Sequence, residues 1–131
     1  MSTPRLDNKG FVVYDRTAEK IVGSFEVDAA PAVNIINVRG NGFVATVGAA
    51  GRYVITLNNA AYRLVSGWVC CECTSGVAAL DYTGQLGAFT AGAGGVANAI
   101  VRTIDGGVET DIPVTDRVHF ELTVYGNPID A

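Results

Sequence analysis

Apolar residues fall at every second position along the most regular stretches of this chain. In Arg52–Leu57, Tyr53, Ile55 and Leu57 lie on one side and Arg52, Val54 and Thr56 on the other. In Arg117–Tyr125, Val118, Phe120, Leu122 and Val124 point one way, and Arg117, His119, Glu121, Thr123 and Tyr125 the other. A period of two belongs to a strand with one face on a core. The stretch Val33–Leu57 holds three apolar, β-branched runs, Val33–Val38, Phe43–Val47 and Tyr53–Leu57, separated by Gly40-Asn41-Gly42 and by Gly48-Ala49-Ala50-Gly51. Glycine enters positive φ without a Cβ clash, so these clusters predict hairpin turns and the stretch reads as a three-stranded antiparallel meander.

The same pattern predicts further strands. Gly10–Tyr14 and Ile21–Val27 flank the polar loop Asp15–Lys20 as a hairpin, with Ile21, Phe25 and Val27 on one face, and Pro31 ends the second strand. Asn58–Tyr62 is a turn, and Arg63–Cys73, RLVSGWVCCEC, is a long strand apolar on both faces, which predicts a central strand or one with an intersubunit face. Thr74–Asn98 is rich in Ala, Gly and Thr; Val77–Tyr82 and Leu86–Thr90 are its candidate short strands, and Thr90–Gly95 is too glycine-rich to be an element interior. Ala99–Ile104 is a strand, Asp105-Gly106-Gly107 a turn, and Val108–Asp116, with Pro113, an excursion or edge segment. About eight strands with turns every 8–12 residues predict an all-β fold with little helix: an antiparallel β-sandwich, jelly-roll-like, with the 74–98 excursion as a Greek-key crossover. The domain reading is a flexible N-terminal arm over 1–9, one β-sandwich domain over 10–125 and a tail over 126–131.

Composition narrows the function. The 131 residues suit one domain, with 49% hydrophobic but only 17% charged residues. That charge fraction is low for a free-standing soluble protein, where about a quarter is usual, and it predicts a surface partly covered by partners or copies. The net charge of −4 and the late cluster Asp105, Glu109, Asp111, Asp116 and Glu121 argue against nucleic-acid and membrane-surface binding. No apolar run of 18 or more residues predicts a transmembrane helix, and the first residues carry no apolar signal core, so synthesis in the cytoplasm is expected.

Candidate chemistry is sparse. Cys70, Cys71 and Cys73 would place Cys71 and Cys73 on one face and Cys70 on the other, which suits small packed thiols better than a zinc site. His119 is the only histidine; a hydrolase would need it, with Glu121 on the same face, but no GxSxG elbow is present. Asp105, Glu109, Asp111 and Asp116 are candidates for a carboxylate pair or a Ca²⁺ site, without EF-hand spacing. Trp68 with Tyr53, Tyr62 or Tyr82 is a candidate sugar-stacking platform. None of these forms a complete catalytic constellation, so the expectation is a non-enzymatic protein with no catalytic residues, cofactor or metal.

Two stretches, Ile36-Asn37-Val38-Arg39-Gly40 through Gly51-Arg52-Tyr53-Val54-Ile55-Thr56-Leu57, and Arg117-Val118-His119-Phe120-Glu121-Leu122-Thr123-Val124, resemble small proteins of tailed-bacteriophage structural modules, the capsid cement or decoration proteins. The resemblance is in the style G-x-Y-x-I-T-L and R-V-H-F-x-L. It implies a jelly-roll-type virion protein on the capsid surface, acting as a dimer or trimer and clamping the major capsid protein. The alternative is a trimeric C1q/TNF-like head or a tail-fibre module that binds a receptor or carbohydrate. An enzyme such as a cupin would need several strand histidines, and this chain has one.

Overall fold

The period-two runs become strands, and the turn-forming clusters decide which sheet each strand joins. A computed structural model describes residues 18–29, 32–58, 63–74, 82–91 and 97–125. They form nine strands: β1 (Ala18–Asp28), β2 (Asn34–Gly40), β3 (Phe43–Val47), β4 (Arg52–Leu57), β5 (Arg63–Glu72), β6 (Thr83–Ala91), β7 (Ala97–Asp105), β8 (Val108–Glu109) and β9 (Arg117–Tyr125). No helix occurs among the described residues. One sheet runs β2-β1-β9-β5; the other runs β3-β4-β7-β6, with β8 added on β7. Every pairing is antiparallel. The fold is the expected all-β sandwich. The pairs β1·β9 and β4·β7 lie inside the two sheets, with β5 and β6 on the far sides of β9 and β7.

The core lies between the two sheets. Ile21, Phe25 and Val27 of β1 and Val118, Phe120, Leu122 and Val124 of β9 face Tyr53, Ile55 and Leu57 of β4 and Ala97, Ala99 and Val101 of β7. Phe25 meets Tyr53 edge-on at 5.2 Å between ring centroids, and Phe43 meets Phe120 edge-on at 4.9 Å. Burying each such ring contributes about 1.5–3 kcal/mol, and the edge-on contacts add about 1 kcal/mol more.

Two sequence expectations change. The stretch 33–57 is not one meander: β2 pairs with β1 in the first sheet, and only β3 and β4 form a hairpin, in the second. The chain changes sheets at 40–42, where Gly40 (φ 109°) and Gly42 (φ 91°) make a corner closed to other residues. A Cβ on Gly40 would lie 2.3 Å from the Val22 carbonyl oxygen. The strand over 63–72 is not central. Among the described residues it is the edge of its sheet, paired only with β9, and its apolar inner residues Leu64, Val69 and Cys71 are half-buried because β6 folds up against them. A Cβ on Gly84 of β6 would sit 2.6 Å from Val69 Cγ1 and 2.9 Å from the Val69 carbonyl carbon, so glycine alone lets the two edges approach this closely.

Other expectations hold in part. β1 begins at Ala18, inside the predicted loop 15–20. β6 covers the Leu86–Thr90 run, β7 the Ala99–Ile104 run, and the turn at Asp105–Val108 joins β7 to the short β8. The predicted strand Gly10–Tyr14, the arm, the tail, all of the predicted strand Val77–Tyr82 but Tyr82, and most of the 58–62 and 90–95 segments lie outside the described residues.

Candidate functional site

The outer face of the first sheet gathers four of the candidate side chains, His119, Glu121, Trp68 and Cys70. On β9 the outward set is Arg117, His119, Glu121, Thr123 and Tyr125. Strand β5 sets Glu72, Cys70, Trp68, Ser66 and Arg63 opposite them, in that order. Strand β1 sets Glu26, Ser24, Val22 and Lys20 opposite Arg117, His119, Glu121 and Thr123.

Several charges on this face pair with one another. His119 Nε2 lies 2.7 Å from Glu72 Oε1, and Lys20 Nζ lies 3.1 Å from Glu121 Oε1. His119 therefore pairs across strands with Glu72 rather than along its own strand with Glu121. Arg117 points outward as expected, yet it is buried. Its Nη1 donates to Ser24 Oγ and to the Asn37 carbonyl, both at 2.9 Å, and its Nη2 donates to Glu26 Oε2 at 2.7 Å. The cover comes from an irregularity in β2: the register to β1 shifts between Ser24 and Glu26, and Asn37 takes φ 51°, which turns its carbonyl onto the guanidinium. Asn37 Nδ2 also donates to Glu26 Oε2 at 3.0 Å. Sequence reasoning missed this buried arginine. Its one visible signal was an asparagine, the residue most tolerant of the left-handed region, inside an apolar strand.

Between these groups lie two shallow hollows that share Arg39. One, of about 200 Å³, is lined by Val22, Gly23, Ser24, Arg39, Gly40 and His119. The other, of about 430 Å³, is lined by Glu26, Asn37, Val38, Arg39 and Arg117. Toward β5 the face turns apolar. Val22 (52% exposed), Val65 (47%) and Trp68 (46%) stand in solvent, with Val22 and Trp68 on either side of Glu121.

The remaining candidates do not converge. Cys70 is exposed on the outer face, whereas Cys71 turns inward and Cys73 contacts the backbone of Tyr82, whose amide donates to Sγ at 3.4 Å. Burial, then the neighbouring Cys73, Cys70 and Asp116, pushes the Cys71 thiol up to about 12. Among the described residues, no three His, Cys, Asp or Glu side chains assemble as a metal site. The late carboxylates serve as separate struts. Glu109 of β8 takes the guanidinium of Arg52, and Arg102 Nη2 at 2.7 Å, on the outer face of the second sheet. The Arg52 hydrogen bond, with help from Arg102, lowers Glu109 to about 2. Asp111 Oδ1 accepts from the Gly51 amide and the Tyr53 hydroxyl, both at 2.8 Å. Burial first, then Asp111, raises the Tyr53 phenol above its usual range. Asp116 Oδ1 accepts from the Thr74 amide at 3.0 Å and its hydroxyl at 3.1 Å. The aromatic platform does not form: Tyr53 is in the core, Trp68 is on the outer face of the other sheet, Tyr82 faces inward at the β5–β6 edge, and Tyr62 lies outside the described residues.

Compared with models of known protein families, with characterised proteins and with solved structures, the chain matches none.

Proposed function

We propose that this chain is a non-enzymatic structural virion protein, a cement or decoration protein that binds the outside of a phage capsid and stabilises it through self-association and contacts with the major capsid protein. The observation that carries the reading is the outer face of the first sheet. Lys20 with Glu121, His119 with Glu72 and Arg117 with Glu26 are paired across its strands, while Val22, Val65 and Trp68 are left in solvent beside them. Exposed apolar side chains bordered by paired charges suit a docking surface, because covering them releases water on contact. A stiff sandwich then presents that strip in fixed geometry, and repeated weak contacts around a shell add up by multivalency.

Co-sedimentation of the purified protein with DNA-free tailed-phage capsid shells tests this. Saturable binding that raises the temperature of shell disassembly is expected, with loss of binding in a Val22→Ser, Trp68→Ser double variant. Absence from the shell pellet at every concentration overturns it.

The two hollows around Arg39 favour the second reading, a receptor- or carbohydrate-binding head. Glu26, Asn37 and Arg39 offer the mixed donors and acceptors that hydroxyl-rich ligands use. Glycan-array binding lost on Arg39→Ala, without shell binding, would select that reading.

A further inference from the structure

Among the described residues, strand β5 ends its sheet, paired on one side only with β9, while β6 packs against its inner face at Val69. Natural sheets protect such edges with short strands, charges, prolines or mid-strand bulges, because unpaired N–H and C=O groups invite another strand. The other edges have these devices. β2 carries a break at Asn37 and the charge of Arg39, β3 has 5 residues, and β6 is interrupted between Leu86 and Phe89. β5 has 10 residues and no proline or lysine; its charges, Arg63 and Glu72, stand at its two ends, and its single irregularity lies at its start, between Leu64 and Ser66. Beyond it, Ser66–Glu72 pairs with β9 without interruption, and Gly67 and Trp68, at the middle of the strand, are exposed.

The outward residues of this edge are self-complementary. The register with β9 puts Arg63, Ser66, Trp68, Cys70 and Glu72 on the outer face; Val65 is the extra residue at the irregularity. Counted along that face, Arg63 lies two places to one side of Trp68 and Glu72 two places to the other. An antiparallel copy related by a two-fold axis through Trp68 therefore sets Trp68 against Trp68, Ser66 against Cys70, and Arg63 against Glu72 at both ends. Shifting the axis to Cys70, to Ser66 or to a point between neighbours leaves Arg63 or Glu72 beyond the end of the partner strand. A two-fold contact uses the same patch twice, so matched opposite charges equidistant from a central aromatic are what it requires.

We infer that β5 is the self-association edge of this protein. Two copies pair β5 to β5 antiparallel, with the axis at Trp68, and join their four-stranded sheets into one of eight. This deepens the proposed function, resting on the self-association in that reading and naming its surface. The paired edge leaves Arg39, on β2 at the opposite edge of the sheet, on the open outer face of each copy, although the smaller hollow beside it reaches His119 on β9, the strand next to β5.

The test uses the full chain, with sedimentation equilibrium and the emission of Trp68, the only tryptophan. The wild-type protein dimerises, and Trp68 emission shifts to the blue on association. Glu72→Arg or Arg63→Glu alone raises the dimer dissociation constant about tenfold or more, since each places like charges at both ends of the contact. The double swap Arg63→Glu, Glu72→Arg restores it. Far-UV circular dichroism identical to wild type shows that the variants fold. A monomer at all concentrations, a dimer indifferent to the single reversals or not rescued by the swap, or unchanged Trp68 emission overturns the inference. So does quantitative Cys70–Cys70 crosslinking on mild oxidation, which moves the axis to Cys70. Shell binding by a dimer that ignores these substitutions sinks this inference alone. A Trp68-centred dimer that never binds shells sinks the virion reading alone.

Discussion

Arg117 Nη2 lies 2.7 Å from Glu26 Oε2, on the solvent side of a sheet, yet Arg117 is 5% exposed. Three strands meet at this pair: Arg117 from β9, Glu26 from β1, and the Asn37 carbonyl from β2 lying over both. A planar guanidinium can satisfy Ser24, Asn37 and Glu26 together, which a lysine ammonium on its thinner stem cannot match. Arg117→Met is expected to lower stability by about 2 kcal/mol, because Glu26 and the Asn37 carbonyl lose a charged donor. Arg117→Lys should recover only part of the loss. Urea denaturation checks both, and an Arg117→Met protein as stable as wild type would dismiss the pair as a fastening of β2.

The clasp of Glu109 with Arg52 and Arg102 predicts a pH dependence. The folded protein holds Glu109 near 2, below the ordinary 4.5, chiefly through the Arg52 hydrogen bond. A depressed carboxylate stabilises fully above its unfolded pKa and loses that contribution as pH falls through the folded value. The Tm difference between wild type and Glu109→Gln should therefore be constant above about pH 5 and close between 4.5 and 2. Thermal melts across that range decide it; a difference that persists at pH 2 removes the carboxylate from the account.

Gly84 should resist any side chain. Gly84→Ala places a Cβ against the Val69 backbone as well as its side chain, and backbone in a paired strand has nowhere to move. A loss of about 1–3 kcal/mol is expected, as for overpacking elsewhere. Gln85→Ala, one residue along and exposed, serves as the control and should change stability by under about 0.5 kcal/mol. Equal effects at the two positions would mean that the β5–β6 contact is looser than described.

The cysteines should separate by reactivity. Cys70 is exposed, while burial pushes the Cys71 thiol up to about 12, leaving almost no thiolate at neutral pH. Brief treatment of the native protein with iodoacetamide should label Cys70 first and reach Cys71 only after unfolding. Peptide mass spectrometry reads the order directly, and early labelling of Cys71 would contradict its inward placement.

Much of this architecture was legible in the chain. Alternation in 117–125 gave the inward set Val118, Phe120, Leu122 and Val124, because a strand's period of two depends only on its own backbone. The same held for Tyr53, Ile55 and Leu57. The candidate sites were less legible. His119 and Glu121 share a face along one strand, yet the partner of His119 is Glu72, 47 residues away. Asp105, Glu109, Asp111 and Asp116 looked like one acidic cluster, yet Glu109, Asp111 and Asp116 serve different elements, since loop carboxylates go wherever a buried amide, hydroxyl or guanidinium needs an acceptor.

By itself the sequence determined that this is an all-β sandwich, which residues of the main strands face its core, and that its surface is poor in charge. Those properties follow from side-chain alternation and composition, which are local or additive. Only the tertiary structure decided that β2 leaves its neighbours for the other sheet, that β5 is an edge, and that Arg117 is buried on an outward face. These depend on which distant strands meet, and one corner at Gly40 or one twisted residue at Asn37 redirects them without altering the pattern that predicts each strand.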